Sequence, residues 1–352
     1  MSHRVELLPS GNVFQAEAGE TLLEAALRSG LNLKYNCNSG SCGDCQARLV
    51  SGELGRMGHH DYVYSREEKA NNHFLMCRAH AASDLVLEAV EARSAEDIPH
   101  HRITTTVARL NPLSDTVMEL QLRTPRTQTL WFLAGQYVTL SGEGLPTRNK
   151  SIASCPCNGM LLQFHVQQVE GDPFAEYVFN RMKPRDKVEV EGPFGRFTLD
   201  EDSGRPCLFL ACETGFAPVK SLIEHAISLE FDQPLRLYWA VPRPEDLYLA
   251  NYCRSWQDGL DDFRFIPVVG QGDNPDWTPP QVPDLADVPG LSPRARRLLH
   301  AGLRITTDYP DLSGFDVYVN GPDADLVALI ELLVRHGLPP ERLFVDRIAH
   351  ID

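Results

Sequence analysis

The spacing of apolar residues changes character twice along the chain. Val5–Leu8 and Val13–Ala16 are short alternating runs around Ser10-Gly11-Asn12, which predicts a β-hairpin. Thr21 and Glu24 form a capping box ahead of a helical stretch, Leu22–Ser29, with Gly30 as its C-cap. A loop of small and polar residues leads into a strand at Gln46–Val50, and Leu85–Val90 is a further strand. These elements make residues 1–92 one small domain. Residues 93–101 are charged or small, with one Pro, and read as a linker.

From 102 to 203 the pattern is all-β. Ile103–Arg109, Thr116–Arg123, Tyr137–Ser141, Leu161–Gln168 and Lys187–Glu191 are separated by turn residues, which predicts a barrel or sandwich. From 204 to 352 apolar runs alternate with helices. Cys207–Ala211 precedes a helix at Pro218–Leu229, Leu235–Val241 one at Pro244–Tyr252, and Phe315–Val319 one at Ala324–His336. This alternation predicts a mostly parallel α/β sheet. The Pro/Asp-rich region 271–313 reads as an elaborated connection containing one amphipathic piece, Ser292–Leu303.

The 352 residues suffice for two or three domains of roughly 100–150 residues each. A net charge of −15 argues against a nucleic-acid partner, since binding phosphate needs a cationic surface. No apolar run reaches the ~20 residues of a membrane span, and the start of the chain lacks a secretory signal's apolar core. The expected location is the cytoplasm. The nine cysteines are an odd number, which speaks against a disulfide framework.

Four of those cysteines carry the most specific signal. Cys37, Cys42 and Cys45 stand in a C-x4-C-x2-C loop, and Cys77 follows at a distance. Plant-type [2Fe–2S] clusters take three thiolates from one tight loop and the fourth from a remote segment. The small residues between them, Asn38 to Ser41 and Gly43, let backbone N–H groups turn toward sulfur. Four thiolates also suit zinc, although zinc sites usually come as two C-x-x-C pairs, whereas here the fourth cysteine is single.

The other motifs are weaker one by one. Arg148-Asn-Lys-Ser151, read as the head of a strand, offers a guanidinium suited to a diphosphate and a hydroxyl. Alone it reads more readily as a surface loop, as Gly192-Pro-Phe-Gly195 alone reads as a turn. Thr214-Gly-Phe-Ala-Pro218 lies at a strand-to-helix junction, where N–H groups and a helix dipole face phosphate. Asn320-Gly-Pro322 ends another strand of the same inferred sheet, at the edge where ligands bind. Cys155 and Cys157 look like a redox pair. The intervening Pro156 and the absence of a following helix favour ordinary small residues there.

In this order the motifs resemble the ferredoxin–NAD(P)H reductase superfamily, in the branch with an N-terminal plant-type ferredoxin. That branch includes reductase components of oxygenases and CDP-6-deoxy-glucoseen reductase. The resemblance implies a multidomain α+β and α/β architecture: a β-grasp ferredoxin, a six-stranded antiparallel FAD-binding β-barrel and a parallel nucleotide-binding domain. It implies that Cys37, Cys42, Cys45 and Cys77 hold the cluster. Arg148 would pair with the FAD diphosphate, and Ser151, the catalytic position, would sit near the flavin N5. Lys150, Gly192, Thr214, Gly215, Phe216, Pro218, Asn320, Gly321 and Pro322 complete the implied FAD and NADH contacts. NADH is favoured over NADPH, because Tyr238–Leu247 resembles the NADH-using members and Arg243 stands alone there. Electrons would pass from NADH through FAD to the cluster and on to a partner oxygenase or dehydratase.

Some positions depart from the family pattern. Lys150 stands where Tyr is usual, Ala175 where Ser or Thr is, Asn320 where Cys is, and Ile348 where an aromatic follows Asp346. Cys212 and Glu213 replace a Gly-rich turn. A carboxylate ~4–5 Å from a diphosphate repels it by about 1 kcal/mol in water-like surroundings. Either Glu213 points to solvent or to a ribose hydroxyl, or it weakens nucleotide binding, in which case Glu213→Gly tightens NADH. The alternative function is an electron-carrier or docking module with an altered flavin site.

Overall fold

The computed structural model of the chain describes residues 2–270 and 291–347. Ile348 and part of the 271–313 connection lie outside them. The first unit runs β1 (His3–Leu8), β2 (Val13–Ala16), α1 (Leu22–Arg28), β3 (Gln46–Ser51) and β4 (Leu54–Met57). It continues through α2 (Arg66–Ala70), β5 (His73–Leu75), β6 (Ala79–Ala81) and β7 (Leu85–Ala89). Five strands form a mixed sheet, β2-β1-β7-β3-β5, over which α1 buries Leu22, Leu23, Ala25 and Ala26. The Thr21/Glu24 capping box starts α1, satisfying N–H groups that the first turn leaves unpaired. The helix ends at Ser29, and Gly30 follows it at φ +78°.

Residues 93–101 are more than a spacer. Ile98 is buried with Ala92 and Leu133, and Arg93 pairs with Asp202 at 2.6 Å. The second unit comprises β8 (His101–Pro112), β9 (Val117–Arg123), β10 (Tyr137–Gly142) and β11 (Leu145–Ser151). β12 (Leu161–Gln167), α3 (Pro173–Asn180) and β13 (Lys187–Phe194) complete it. All its ladders are antiparallel, in the order β11-β10-β13-β8-β9-β12, and the sheet curls until its edge strands approach each other. The Arg148–Ser151 tetrapeptide is therefore the end of a strand rather than its head. The sequence LPTRNKS hides that strand because an edge strand tolerates Pro and charge.

The third unit contains β14 (Cys207–Cys212), α4 (Phe216–Ser228), β15 (Leu235–Val241), α5 (Ala250–Gly259) and β16 (Phe263–Val269). α6 (Pro293–Asp308), β17 (Asp316–Asn320), α7 (Asp323–Arg335) and β18 (Leu343–Asp346) follow. The five strands are all parallel, in the order β16-β15-β14-β17-β18. One apolar core lies under α4 and α5, another under α6 and α7. The helix expected at Pro244–Tyr252 resolves into a 3-10 turn, Pro244–Asp246, and the separate α5. Leu247 breaks the helical run between them, and Cys253 and Trp256 supply the buried face of α5. Among the described residues no helix is long and apolar enough to cross a membrane.

Candidate active site and cluster loop

The order of the parallel sheet reverses at β14, whose two neighbours are β15 and β17. In doubly wound sheets the crevice at such a switch point receives the ligand, at the C-terminal ends of the strands. Here that crevice is a cleft of about 380 Å3, roofed by the ends of β11 and β12 from the curled sheet.

On the roof, Arg148 donates from Nη2 to Asp172 Oδ1 at 2.6 Å. The same carboxylate oxygen accepts the Phe174 and Ala175 N–H groups, so the α3 N-cap orients the guanidinium. Arg148 Nε is buried and unpartnered, leaving a donor for an anion such as the FAD diphosphate. Lys150 Nζ lies 5.4 Å from the Phe174 ring centroid. Burial pushes its ammonium down to about 8, while the Asp172 charge pulls upward. Ser151 donates to Asp346 Oδ2 at 3.2 Å, and burial raises that carboxyl to about 7. His165 also lines the cleft, with Nδ1 3.0 Å from the Tyr248 hydroxyl and a buried, unpartnered Nε2.

On the floor, Glu213 holds φ +53°, a conformation that favours glycine. Its carboxylate grips Arg294 at 2.7 Å and Arg297 at 2.5 Å, both from α6, and is only 12% exposed. Trp239 Nε1 donates to the Glu213 carbonyl at 3.0 Å. The carboxylate thus points neither to solvent nor into the cleft as a bare negative charge. One carboxylate facing two guanidinium groups leaves the turn net positive, so the expected repulsion of a diphosphate does not arise. Asn320 secures the same turn. It accepts the Cys212 N–H at 3.4 Å and donates to the Gly215 carbonyl at 2.6 Å. A Cβ on Gly215 would come within 2.0 Å of that amide, so only glycine fits.

Thr214, Gly215, Pro218, Asn320, Gly321 and Pro322 line the cleft together with Arg148, Lys150 and Ser151. Two expected contacts lie elsewhere. Phe216 is fully buried, stacked on Trp239 with centroids 4.0 Å apart, because its position at the head of α4 faces the core. Gly192 sits within β13 beside Val138 and Phe194, outside the cleft lining. Sequence reasoning missed Asp172, His165, Arg294 and Arg297. Asp172 had a signal, an N-cap residue followed by Pro173 at the first helical position. The arginines had none, since 81 and 84 positions separate them from Glu213.

The cysteine loop lies in the first unit. The N–H groups of Ser39, Ser41 and Cys42 all point at Cys37 Sγ from 3.4 Å. Burial raises the Cys37 thiol, but hydrogen bonds from Ser39 and Ser41 outweigh it and bring it down to about 5. Gly40 and Gly43 take φ +81° and +88°, and a Cβ on Gly43 would meet the Tyr62 ring at 2.3 Å. The Cys42 N–H on Cys37 Sγ ties the first two cysteines together, and the Met76 N–H, donating to the Cys45 carbonyl at 3.0 Å, brings Cys77 alongside Cys45. Among the described residues no three metal-binding side chains converge on a single point. Two pairs match the needs of two irons with two thiolates each, and Cys42 is the exposed member.

The cluster loop is fastened to the curled sheet. Thr129 donates from its N–H to Asn36 Oδ1 at 3.1 Å and from its hydroxyl to the Tyr35 carbonyl at 2.7 Å. The Gly159 N–H donates to the Tyr35 hydroxyl at 3.0 Å.

Residues 5–82 match the 2Fe-2S iron-sulfur cluster binding domain, 104–199 the oxidoreductase FAD-binding domain, and 209–282 the oxidoreductase NAD-binding domain. The chain is 32% identical to the CDP-6-deoxy-L-threo-D-glycero-4-hexulose-3-dehydrase reductase of Yersinia pestis, over 98% of each chain. It belongs to the iron–sulfur flavoprotein reductases. It is also 30% identical to reductase component 2 of the terephthalate 1,2-dioxygenase of a Comamonas species, over 78% of this chain and 81% of that one. The crystal structure of the Amycolatopsis cytochrome P450 reductase GcoB is similar, with a TM-score of 0.59 and 26% identity over 97% and 98% of the two chains. This reductase uses a [2Fe–2S] cluster, FAD and NAD(H), and passes electrons from NADH through FAD to the cluster and a partner protein.

Proposed function

We propose that the chain is the reductase component of a two-protein system in the cytoplasm, supplying a separate dehydratase or oxygenase. The observation that supports this best is the placing of a lined cleft and a four-cysteine loop in one chain, joined through Tyr35, Asn36, Thr129 and Gly159. The full-length likeness to a hexulose dehydrase reductase favours a dehydratase partner. The shorter likeness to a dioxygenase reductase keeps an oxygenase as the second reading.

In this reading Arg148 and Lys150 neutralise the FAD diphosphate, and Asp172 sets the direction of the guanidinium. Ser151 holds its proton on Asp346 until a flavin edge accepts it. Thr214 and Gly215 take the nicotinamide nucleotide at the N-terminal end of α4, on a turn that Asn320 and Glu213 hold in shape. When bound, FAD accepts a hydride from NADH and releases its electrons one at a time to the cluster. The exposed Cys42 side of the loop is left for the acceptor.

Anaerobic titration with NADH, followed by visible absorption and EPR, tests the proposal. Bleaching of both flavin and cluster is expected. No bleaching with NADH or NADPH overturns it.

A further inference from the structure

Residues 151–159 link all three units. The Ala153 carbonyl accepts from Lys220 Nζ at 3.0 Å, and the Ser154 carbonyl accepts from the Ser221 hydroxyl at 2.7 Å, both on α4. Gly159 reaches the opposite way, to Tyr35 beside the cluster loop. Between these anchors stands Cys155-Pro-Cys157, which the reductase reading leaves without a role.

The turn suits sulfur chemistry. Cys157 lies inside a single 3-10 turn, Pro156–Asn158, capped by Cys155, and a strand rather than a helix follows the pair, as its sequence implies. With one residue between them, the two Cα atoms stand no more than about 7 Å apart, at the outer edge of the span a disulfide needs. The Cys157 N–H donates to Cys155 Sγ at 3.3 Å, and the Ser228 hydroxyl lies 3.8 Å from the same sulfur. Cys155 is buried, whereas Cys157 is partly exposed. Both line a second cleft of about 380 Å3, with Ser154, Lys220, Glu224 and Tyr252. Contact with Cys155 lowers the Cys157 thiol below its ordinary value, which favours it as the attacking thiolate.

We propose that Cys155 and Cys157 form a dithiol site for small-molecule disulfides of the glutathione class, and that its oxidation loosens the Tyr35 joint. The Cys157 thiolate attacks one sulfur of glutathione disulfide, and the first glutathione leaves with the proton Cys157 gave up. Cys155 then attacks the Cys157 sulfur, and the second glutathione leaves with the Cys155 proton. Two protein thiols are oxidised, and one glutathione disulfide is reduced to two thiols. Closing the ring reshapes the turn that presents the Gly159 N–H to Tyr35, so the cluster loop loses one of the hydrogen bonds that fasten it to the second unit.

The thiol chemistry stands independently of the reductase reading, and only its effect on electron passage rests on it. The test incubates the holoprotein with glutathione disulfide, then divides it between peptide mass analysis and stopped-flow reduction by NADH. The tryptic peptide 151–181 contains no cysteines but these two, so the cluster ligands do not interfere. After oxidation it is expected to be lighter by two hydrogens and to resist alkylation. Cluster bleaching slows several-fold while flavin reduction keeps its rate, and dithiothreitol reverses both changes. Cys157→Ser forms no ring and keeps its bleaching rate in glutathione disulfide. A peptide that stays fully alkylatable overturns the site, and a ring formed with no change in cluster bleaching overturns the joint. Failure of the reductase reading is recognised separately, as no flavin reduction before any oxidant is added.

Discussion

Ser151 and Asp346 meet across the boundary between the curled sheet and the parallel sheet, hydroxyl to carboxylate at 3.2 Å, from the last residues of β11 and β18. Burial holds Asp346 at about 7, against 3.8 in an unfolded chain. Between those values the folded chain keeps a proton that the unfolded chain has lost, so stability falls as pH rises through this window. The full loss is about 4 kcal/mol at ~1.4 kcal/mol per unit. Asp346→Asn has no proton to lose, and its thermal midpoint is expected to rise relative to the wild type between pH 5 and pH 8. Calorimetric curves that stay parallel would show the carboxyl already ionised at the lower pH.

Lys150 titrates on the other side of neutrality. A flavin diphosphate favours the ammonium, so FAD binding is coupled to a proton that leaves near pH 8. FAD affinity of the apoprotein is expected to decline as pH rises through that value, approaching about tenfold per unit well above it. Lys150→Met should bind FAD more weakly at pH 7 and without that slope. Fluorescence titrations from pH 7 to 9.5 decide the matter, and an unchanged slope in the variant assigns it to another group.

Arg294 both grips Glu213 and lines the cleft. Arg294→Gln is expected to weaken NADH about tenfold, equivalent to ~1.4 kcal/mol. Glu213→Gln leaves two half-buried guanidinium groups facing each other and should cost about 1–2 kcal/mol of stability, below the scale for breaking a fully buried pair because solvent screens Arg294. Equilibrium titration reads the first and urea unfolding the second. An unaltered NADH dissociation constant in Arg294→Gln would place the nucleotide away from α6.

Gly43 has no room for a side chain against Tyr62 and holds a left-handed φ. Gly43→Ala therefore strains the cluster loop by about 1–2 kcal/mol in backbone terms alone. Iron and acid-labile sulfide per chain are expected to fall while bound FAD stays constant. Full iron content in the variant would show that the loop accommodates the methyl by moving Tyr62.

Local chemistry explains which parts of this molecule were legible in its sequence. The Thr21/Glu24 box, the β14 run Cys207–Cys212 and the spacing of the four cysteines each state their structure within a few positions. β11 and β18 were invisible, because an edge strand of mixed polarity and a four-residue strand carry no clear period. The orientation of Glu213 is illegible for a different reason. Its effect depends on Arg294 and Arg297, which reach it only after α6 folds back over the sheet. Phe216 looked like a cofactor contact because it sits inside a motif, yet its stacking on Trp239 is fixed by the packing of α4.

The fastening of Asn36 and Tyr35 to Thr129 and Gly159 bears on timing. Together with the anchored stretch around Ile98, it keeps the front of the molecule in register with its flavin half. Transfer inside the chain then proceeds as a first-order event, indifferent to dilution. Only the final hand-over to another protein waits on a collision.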